Sequence, residues 1–253
     1  MKYLIFMLHF RPMSKKSYVY TNKKQPYYKA FTSIFKIFLH KPKITNLNDT
    51  LPEDVLIVAP HMGKWGPYYL SIYFPKKFAI IGAYPMLGSY KERFHYLREV
   101  LYMQKCHRGK FFSTIKASFE AIFSIYVYKG MHIIPSYNDI RFMNTINYTQ
   151  KTMDNGLPIM IFPENSDEGY QRVEGKLHEG YLALARALTK RRGKETLIYP
   201  MYEHVKRREI VIGKAFTLSE FKDKTDEEIL KITADKINEL NTHYEEDKKN
   251  PIF

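Results

Sequence analysis

Cysteine is nearly absent from the chain: Cys106 is the single one in 253 residues. An intramolecular disulfide is therefore excluded, and a reducing compartment is expected. Long apolar runs are missing as well. The longest near the start, Met1 to Leu8, is too short to span a bilayer and is followed by His9 and Arg11. No small-residue cleavage site follows it, so a signal peptide is not expected. The sequence contains no G-x-S-x-G elbow, P-loop, dinucleotide fingerprint or zinc-ligand spacing. Acidic residues are also short in number. Forty Lys and Arg stand against 26 Asp and Glu, a net charge of +14. Residues 219–253 are acidic, with 6 basic and 10 acidic side chains. Residues 1–218 therefore carry +18, from 34 basic against 16 acidic. Such a field attracts phosphates, nucleic acid, an anionic membrane surface or an acidic carrier protein.

What is abundant is aromatic: 21 Tyr and 17 Phe. From Pro26 to Leu39 the apolar residues Tyr27, Tyr28, Phe31, Ile34, Phe35 and Phe38 follow helical spacing among Lys24, Lys29, Lys36, Lys41 and Lys43. A stretch of this kind can lie in a membrane interface or pack as an ordinary helix. Residues 1–45 are read as a basic aromatic N-terminal segment, and 46–253 as the main domain. The polar, turn-rich stretch Pro42 to Pro52 lies at their boundary.

Beyond it, short apolar runs alternate with helical patterns. Strands are expected at 55–59, 78–82, 131–134, 158–162, 196–202 and 209–213. Helices are expected at 67–74, 90–104, 112–128, 142–154, 176–190 and 226–246. Phe94, Leu97 and Leu101 form the apolar stripe of the second helix. Ile115, Phe119, Ile122 and Tyr126 recur at helical spacing in the third. Thr225 with Glu228 forms a capping box at the last. This alternation predicts an α/β fold with a central, mostly parallel sheet covered by helices on both faces.

Ala59-Pro60-His61-Met62-Gly63-Lys64-Trp65-Gly66-Pro67 follows the first of these strands directly. His61 thus lies at the carboxyl end of a strand, the edge where open α/β sheets bind ligands. The helix that follows would start with Gly66 as its cap and Pro67 at its first position. Its free N–H groups suit an anion. The plainer reading is a structural histidine in a tight turn. Ile161-Phe162-Pro163-Glu164-Asn165 places a carboxylate and a turn former at another strand end, where a solvated polar turn is the alternative. His132 to Arg141 is again strand then polar loop, with Arg141 available for a phosphate. Leu197 to Met201 is a fourth strand ending near a proline. His204 and Glu209 span a basic hairpin turn, and their spacing is read as chance.

Taken together, these four stretches resemble the glycerolipid acyltransferase family, which includes the lysophosphatidic acid acyltransferases. His61 matches the first block, Phe162-Pro163-Glu164 the third with Asn165 in place of Gly, and Tyr199-Pro200 the fourth. Arg141 matches the second block only loosely. The resemblance covers roughly residues 50–215. It departs from the motif at Gly66, where the family carries an acid. The resemblance implies a glycerol-phosphate acyltransferase-like fold and transfer of a fatty acyl group from an acyl thioester to the hydroxyl of a lysophospholipid or related polar glycerolipid. His61 would be the general base. Glu164, Arg141, Lys64, Asn165 and Trp65 would bind substrate, with Arg172 and Lys176 as further phosphate contacts. Glu164, Asp167 or a backbone carbonyl would orient His61 in place of the missing acid. No metal or cofactor is implied, acyl-CoA or acyl-carrier protein being the co-substrate. The partners expected are an anionic membrane surface, the donor and a lysolipid acceptor, with the protein cytoplasmic and peripheral on the inner face of the membrane. The rival readings are a catalytically impaired lipid-binding protein of the same fold and a basic nucleic-acid-binding protein. The second lacks any RRM, KH or helix-turn-helix pattern.

Overall fold

The computed structural model describes residues 17–23, 25–164, 170–173 and 175–249. Its centre is a seven-stranded sheet in the order β1-β7-β6-β2-β5-β3-β4. The strands are β1 (Lys43–Asn46), β2 (Leu56–Val58), β3 (Ala79–Ala83), β4 (Ile133–Ser136), β5 (Ile159–Ile161), β6 (Ile198–His204) and β7 (Glu209–Ile212). Every pairing is parallel except the β6–β7 hairpin. The short, wholly apolar central strands are those of a sheet buried on both faces. Leu56 and Val58 of β2 face one core with Ile159 and Ile161 of β5, while Ile57 and Met160 face the other. This is the period of two that a strand imposes.

Among the described residues eight α-helices accompany the sheet: α1 (Pro26–Phe35), α2 (Gly66–Tyr73), α3 (Tyr90–His95), α4 (Lys110–Gly130), α5 (Phe142–Asp154), α6 (Gly180–Arg192), α7 (Asp226–Asn238) and α8 (Tyr244–Lys249). The predicted α/β class and mostly parallel sheet are observed. Several boundaries shift. The expected last helix breaks after Asn238 and resumes at Tyr244. The polar stretch after Pro42 contributes β1, which pairs with β7, so the expected boundary between residues 45 and 46 falls inside a strand of the sheet. His204 and Glu209 face each other as the last pair of the β6–β7 hairpin, as their basic turn suggested.

The helix α4 is turned outward. Its buried face consists of Ser113, Ala117, Ala121, Ser124 and Tyr128. Small side chains let its backbone sit close to the wide, π-helical stretch Tyr96–Lys105 that continues α3. The apolar stripe Ile115, Phe119, Ile122 and Tyr126 is exposed. Among the described residues no helix is long and apolar enough to cross a membrane.

Candidate functional site

Register brings three side chains into one row. Val58 of β2 pairs with Ile161 of β5 on one side and Pro200 of β6 on the other. Three residues further along each chain lie His61, Glu164 and Glu203. The backbone N–H of His61 donates to Glu164 Oε2 at 3.0 Å. Glu164 is anchored in turn by a bridge to Leu177. The loops after β2 and β5 thus meet because their strands are neighbours in the sheet, although about 100 residues separate them in sequence.

His61 enters a sharp reversal. Met62 and Gly63 both take positive φ, 42° and 78°. That conformation suits Gly63 and strains Met62. The turn brings the Gly63 carbonyl back to His61 Nδ1 at 2.8 Å. A carbonyl only accepts, so Nδ1 carries the proton and the neutral ring keeps its lone pair on Nε2. The ring stacks on Tyr170 at 4.8 Å between centroids and lies against Phe162 at 5.1 Å. Burial, then the charge of Lys105, push its pKa down to about 4. The ring is neutral at physiological pH. Among the groups expected to orient it, the backbone carbonyl does so, whereas Glu164 binds the His61 main chain. Asp167 and Asn165 lie outside the described residues.

Gly66 has no room for an acid. It is the first residue of α2, with Trp65 rather than Gly66 at the cap. A Cβ at Gly66 would run into Glu203 Oε1 and the His61 carbonyl, closer than real Cβ atoms approach. An aspartate at 66 would therefore displace the loop that holds His61. The space where a motif acid would begin belongs to the Glu203 carboxyl. Glu203 is fully buried, and neither of its oxygens has a hydrogen-bond partner among the described residues. Burial, and next the nearby Glu164 carboxylate, raise its pKa well above the usual range. Glu203 is a neutral acid in the folded protein. Sequence reading ended its strand at 202 and missed it. The β2–β6 register is what reveals its level with His61.

His61 and Glu164 open on a cleft of about 1470 Å³ along the carboxyl edge of β2, β5, β3 and β4. His61, Glu164, Lys64, Arg141 and Lys176 all line it. One part of the wall is apolar, with Tyr68, Ile80, Met86, Tyr96, Leu101 and Met131. Another is polar, with Asn138, Asp139, Arg141, Lys176 and Lys231.

The cations are engaged in different ways. Lys64 donates to Glu120 of α4 at 2.8 Å and to the Tyr102 hydroxyl. Its charge is thus already balanced by a carboxylate. Arg141 grips Asp139, with Nε at 2.9 Å from both carboxylate oxygens, and lies over the Tyr84 and Tyr137 rings. Arg172 reaches the buried Asp247 at 3.6 Å, on the side of the β6–β7 hairpin. Trp65 is half exposed and packs on Phe35 of α1 and on Tyr68, on the surface beside the cleft. Lys105 was not singled out by sequence. It lies over Tyr170 at 5.4 Å and is the cation that His61 senses. The Gly66 N–H bonds to the Gly63 carbonyl, so it is turned inward to the loop. Among the described residues no three His, Cys, Asp or Glu side chains group as metal ligands.

The fold and the site define an α/β protein with a neutral histidine and Glu164 at the sheet edge, facing a cleft part apolar and part polar, and with Glu203 buried level with them. Set against known proteins, the chain matches no family model, and no curated protein matches it significantly.

Proposed function

We propose that the chain is an O-acyltransferase that moves a fatty acyl group from an acyl thioester to the hydroxyl of a lysophospholipid or related polar glycerolipid. The observation that carries this reading is His61. Its tautomer is fixed by Gly63, its ring is neutral, and it lies beside Glu164 in the wall of a cleft with apolar and cationic parts. An acyl chain fits the apolar wall, and a phosphate suits the end at Arg141 and Lys176.

His61 Nε2 takes the proton of the acceptor hydroxyl as its oxygen attacks the thioester carbon. The tetrahedral adduct then collapses: the C–S bond breaks, and the imidazolium returns its proton to the leaving thiolate. No acyl-enzyme forms. Glu164 fixes the His61 main chain and so the position of the ring. The acyl donor is acyl-CoA or acyl-carrier protein, and the acceptor lies in the inner face of the membrane, where the protein is peripheral and cytoplasmic.

The test is turnover of an acyl-CoA with lysophosphatidic acid by the full chain and by His61→Ala. General-base assistance is typically worth 10²–10⁴-fold, and a loss of about that size is expected from a variant that stays folded. Near-normal turnover by folded His61→Ala would overturn the assignment. One observation favours a second reading, a lipid-binding protein without turnover: among the described residues the proton of the imidazole ring is held by a backbone carbonyl and not by a carboxylate. Lipid binding with no transfer from either thioester class by the wild type would decide for it.

A further inference from the structure

The helix α4 presents a broad aromatic face that is exposed among the described residues. Phe111, Phe112, Phe119, Phe123 and Tyr126 are 64–74% exposed, with Ile115 and Ile122 between them. At 100° per residue, these positions fall within roughly 120° of the helix circumference, opposite the buried small residues. The segment around α1 adds Tyr27, Ile34, Ile37 and Phe38, all exposed. The two helices are neighbours: a Cβ on Gly130, the last residue of α4, would meet the Tyr28 ring of α1.

The charge around this face has one sign. Residues 26–46 hold no acid. Residues 105–130 hold Lys105, Arg108, Lys110, Lys116 and Lys129 against one acid, Glu120, which is already bound by Lys64. A second copy of the chain laid on this face would bring those cations against each other. An anionic bilayer would instead receive aromatic rings in its interface and cations at its headgroups. The face also borders the cleft, since Lys64 lines the cleft and holds Glu120, while Trp65 beside it packs on Phe35.

We propose that the outer face of α4, joined by the exposed side of α1, is the surface by which this protein docks on an anionic lipid bilayer. It rests on the reading of a lipid acceptor for its purpose, but its test reads binding alone. It adds α4, a helix in the middle of the chain, to the stretch from Pro26 to Leu39 that the sequence offered for a membrane interface.

The experiment is flotation of the full chain with phosphatidylcholine vesicles and with phosphatidylcholine–phosphatidylglycerol vesicles, at low and high salt. Wild type should float with the anionic vesicles and release as salt rises, because exposed charges are screened within roughly 8 Å at physiological salt. Phe119→Ser with Phe123→Ser should weaken the partition at least about tenfold. Both side chains are largely exposed, so circular dichroism and melting should stay near wild type. Phe111→Ser with Phe112→Ser, at the first turn of α4, is the second variant should the first fail to fold. Failure of wild type to bind anionic vesicles would overturn the proposal. So would undiminished binding by both folded variants, or a wild-type dimer in sedimentation that the variants dissociate while vesicles capture nothing. Vesicle binding without acyl transfer would leave this surface standing and remove the catalytic reading. Transfer to a lysolipid without vesicle binding would do the reverse.

Discussion

Glu203 is the residue that fills the space beside Gly66. A carboxyl group with neither oxygen hydrogen-bonded stays protonated, because burying the anion unpaired costs far more than a shift in pKa. The sign of the linkage follows. Its folded pKa is raised, so its contribution is intact below the unfolded value near 4.3 and is lost as pH rises toward the folded one. Glu203→Gln keeps the shape and removes the titration. The variant should match wild type at pH 4–4.5. It should then gain on it by up to about 1.4 kcal/mol per pH unit above that. Urea unfolding of both proteins from pH 4.5 to 8 measures this, and a gap that does not change with pH would mean that Glu203 is ionised in the fold. The same residue shows where sequence reading stops. His61 and Glu164 could be found because each follows an apolar run directly. Glu203 sits inside a strand, and only the pairing of Val58 with Pro200 places it level with His61. The lack of space at Gly66 is equally a property of the neighbour, since the clash comes from Glu203 and from a folded-back carbonyl.

Helix α4 carries the corresponding lesson for elements. Its period could be read from sequence, and so could the alternation of strands and helices that gives the parallel sheet. Period says which residues share a face; it does not say which face is inside. Here the inward face is the small one, because Ala117 and Ala121 let α4 approach the π-helical stretch after α3. The Ala121 carbonyl also accepts from Arg93 of α3, from Nε at 3.1 Å and Nη2 at 3.0 Å. Substitution should therefore invert the usual expectation for large and small residues. Ala117→Leu, overpacking a fully buried site, should cost about 1–3 kcal/mol. Phe119→Ser, on the exposed face, should change stability by no more than about 0.5 kcal/mol. Chemical denaturation of the two variants checks the orientation of the helix. A severe loss from Phe119→Ser with a tolerated Ala117→Leu would turn it the other way. The lost strand β1 has a different cause. Lys43, Ile44, Thr45 and Asn46 are mostly polar, and their strand character comes from pairing with β7 at the sheet edge.

For the molecule as a whole, pH acts through histidines held neutral, two of them buried and one, His61, partly buried in the cleft wall. His61, His132 and His204 are each pushed down to about 4, in every case first by burial. They sit in separate parts of the fold. His61 is in the site, His132 stacks on Tyr20 beside β4, and His204 closes the β6–β7 hairpin, where its Nδ1 accepts from the Arg207 N–H at 3.1 Å. A depressed histidine pKa favours the folded state while the unfolded chain is also neutral. The stability it carries is therefore present above about 6.5 and is lost as pH falls toward about 4. Three such groups acting together would give a slope of up to about 4 kcal/mol per pH unit in that window. Glu203, whose linkage has the opposite sign, offsets one of them and leaves up to about 3, still enough to exhaust the stability of an ordinary domain over the window. Carboxylates held low by cations, Asp54 between Arg192 and Lys194 and Asp247 against Arg207, keep their contribution until the pH falls lower still. They do not offset the histidines between 6.5 and 4. Cooperative acid unfolding should therefore begin at pH 5–6, before these carboxylates titrate. His132→Phe, which keeps a stacked ring on Tyr20 without a titrating group, should lower the net slope by about one half. The measurement is stability by urea titration at pH 7, 6, 5 and 4.5 for wild type and variant, with net proton uptake read from the slope. If wild type holds its stability to pH 4.5, the buried histidines must find water or a counter-charge on protonation. The neutral state assigned to His61 would then have to be established by its own titration, from the imidazole resonances followed by NMR.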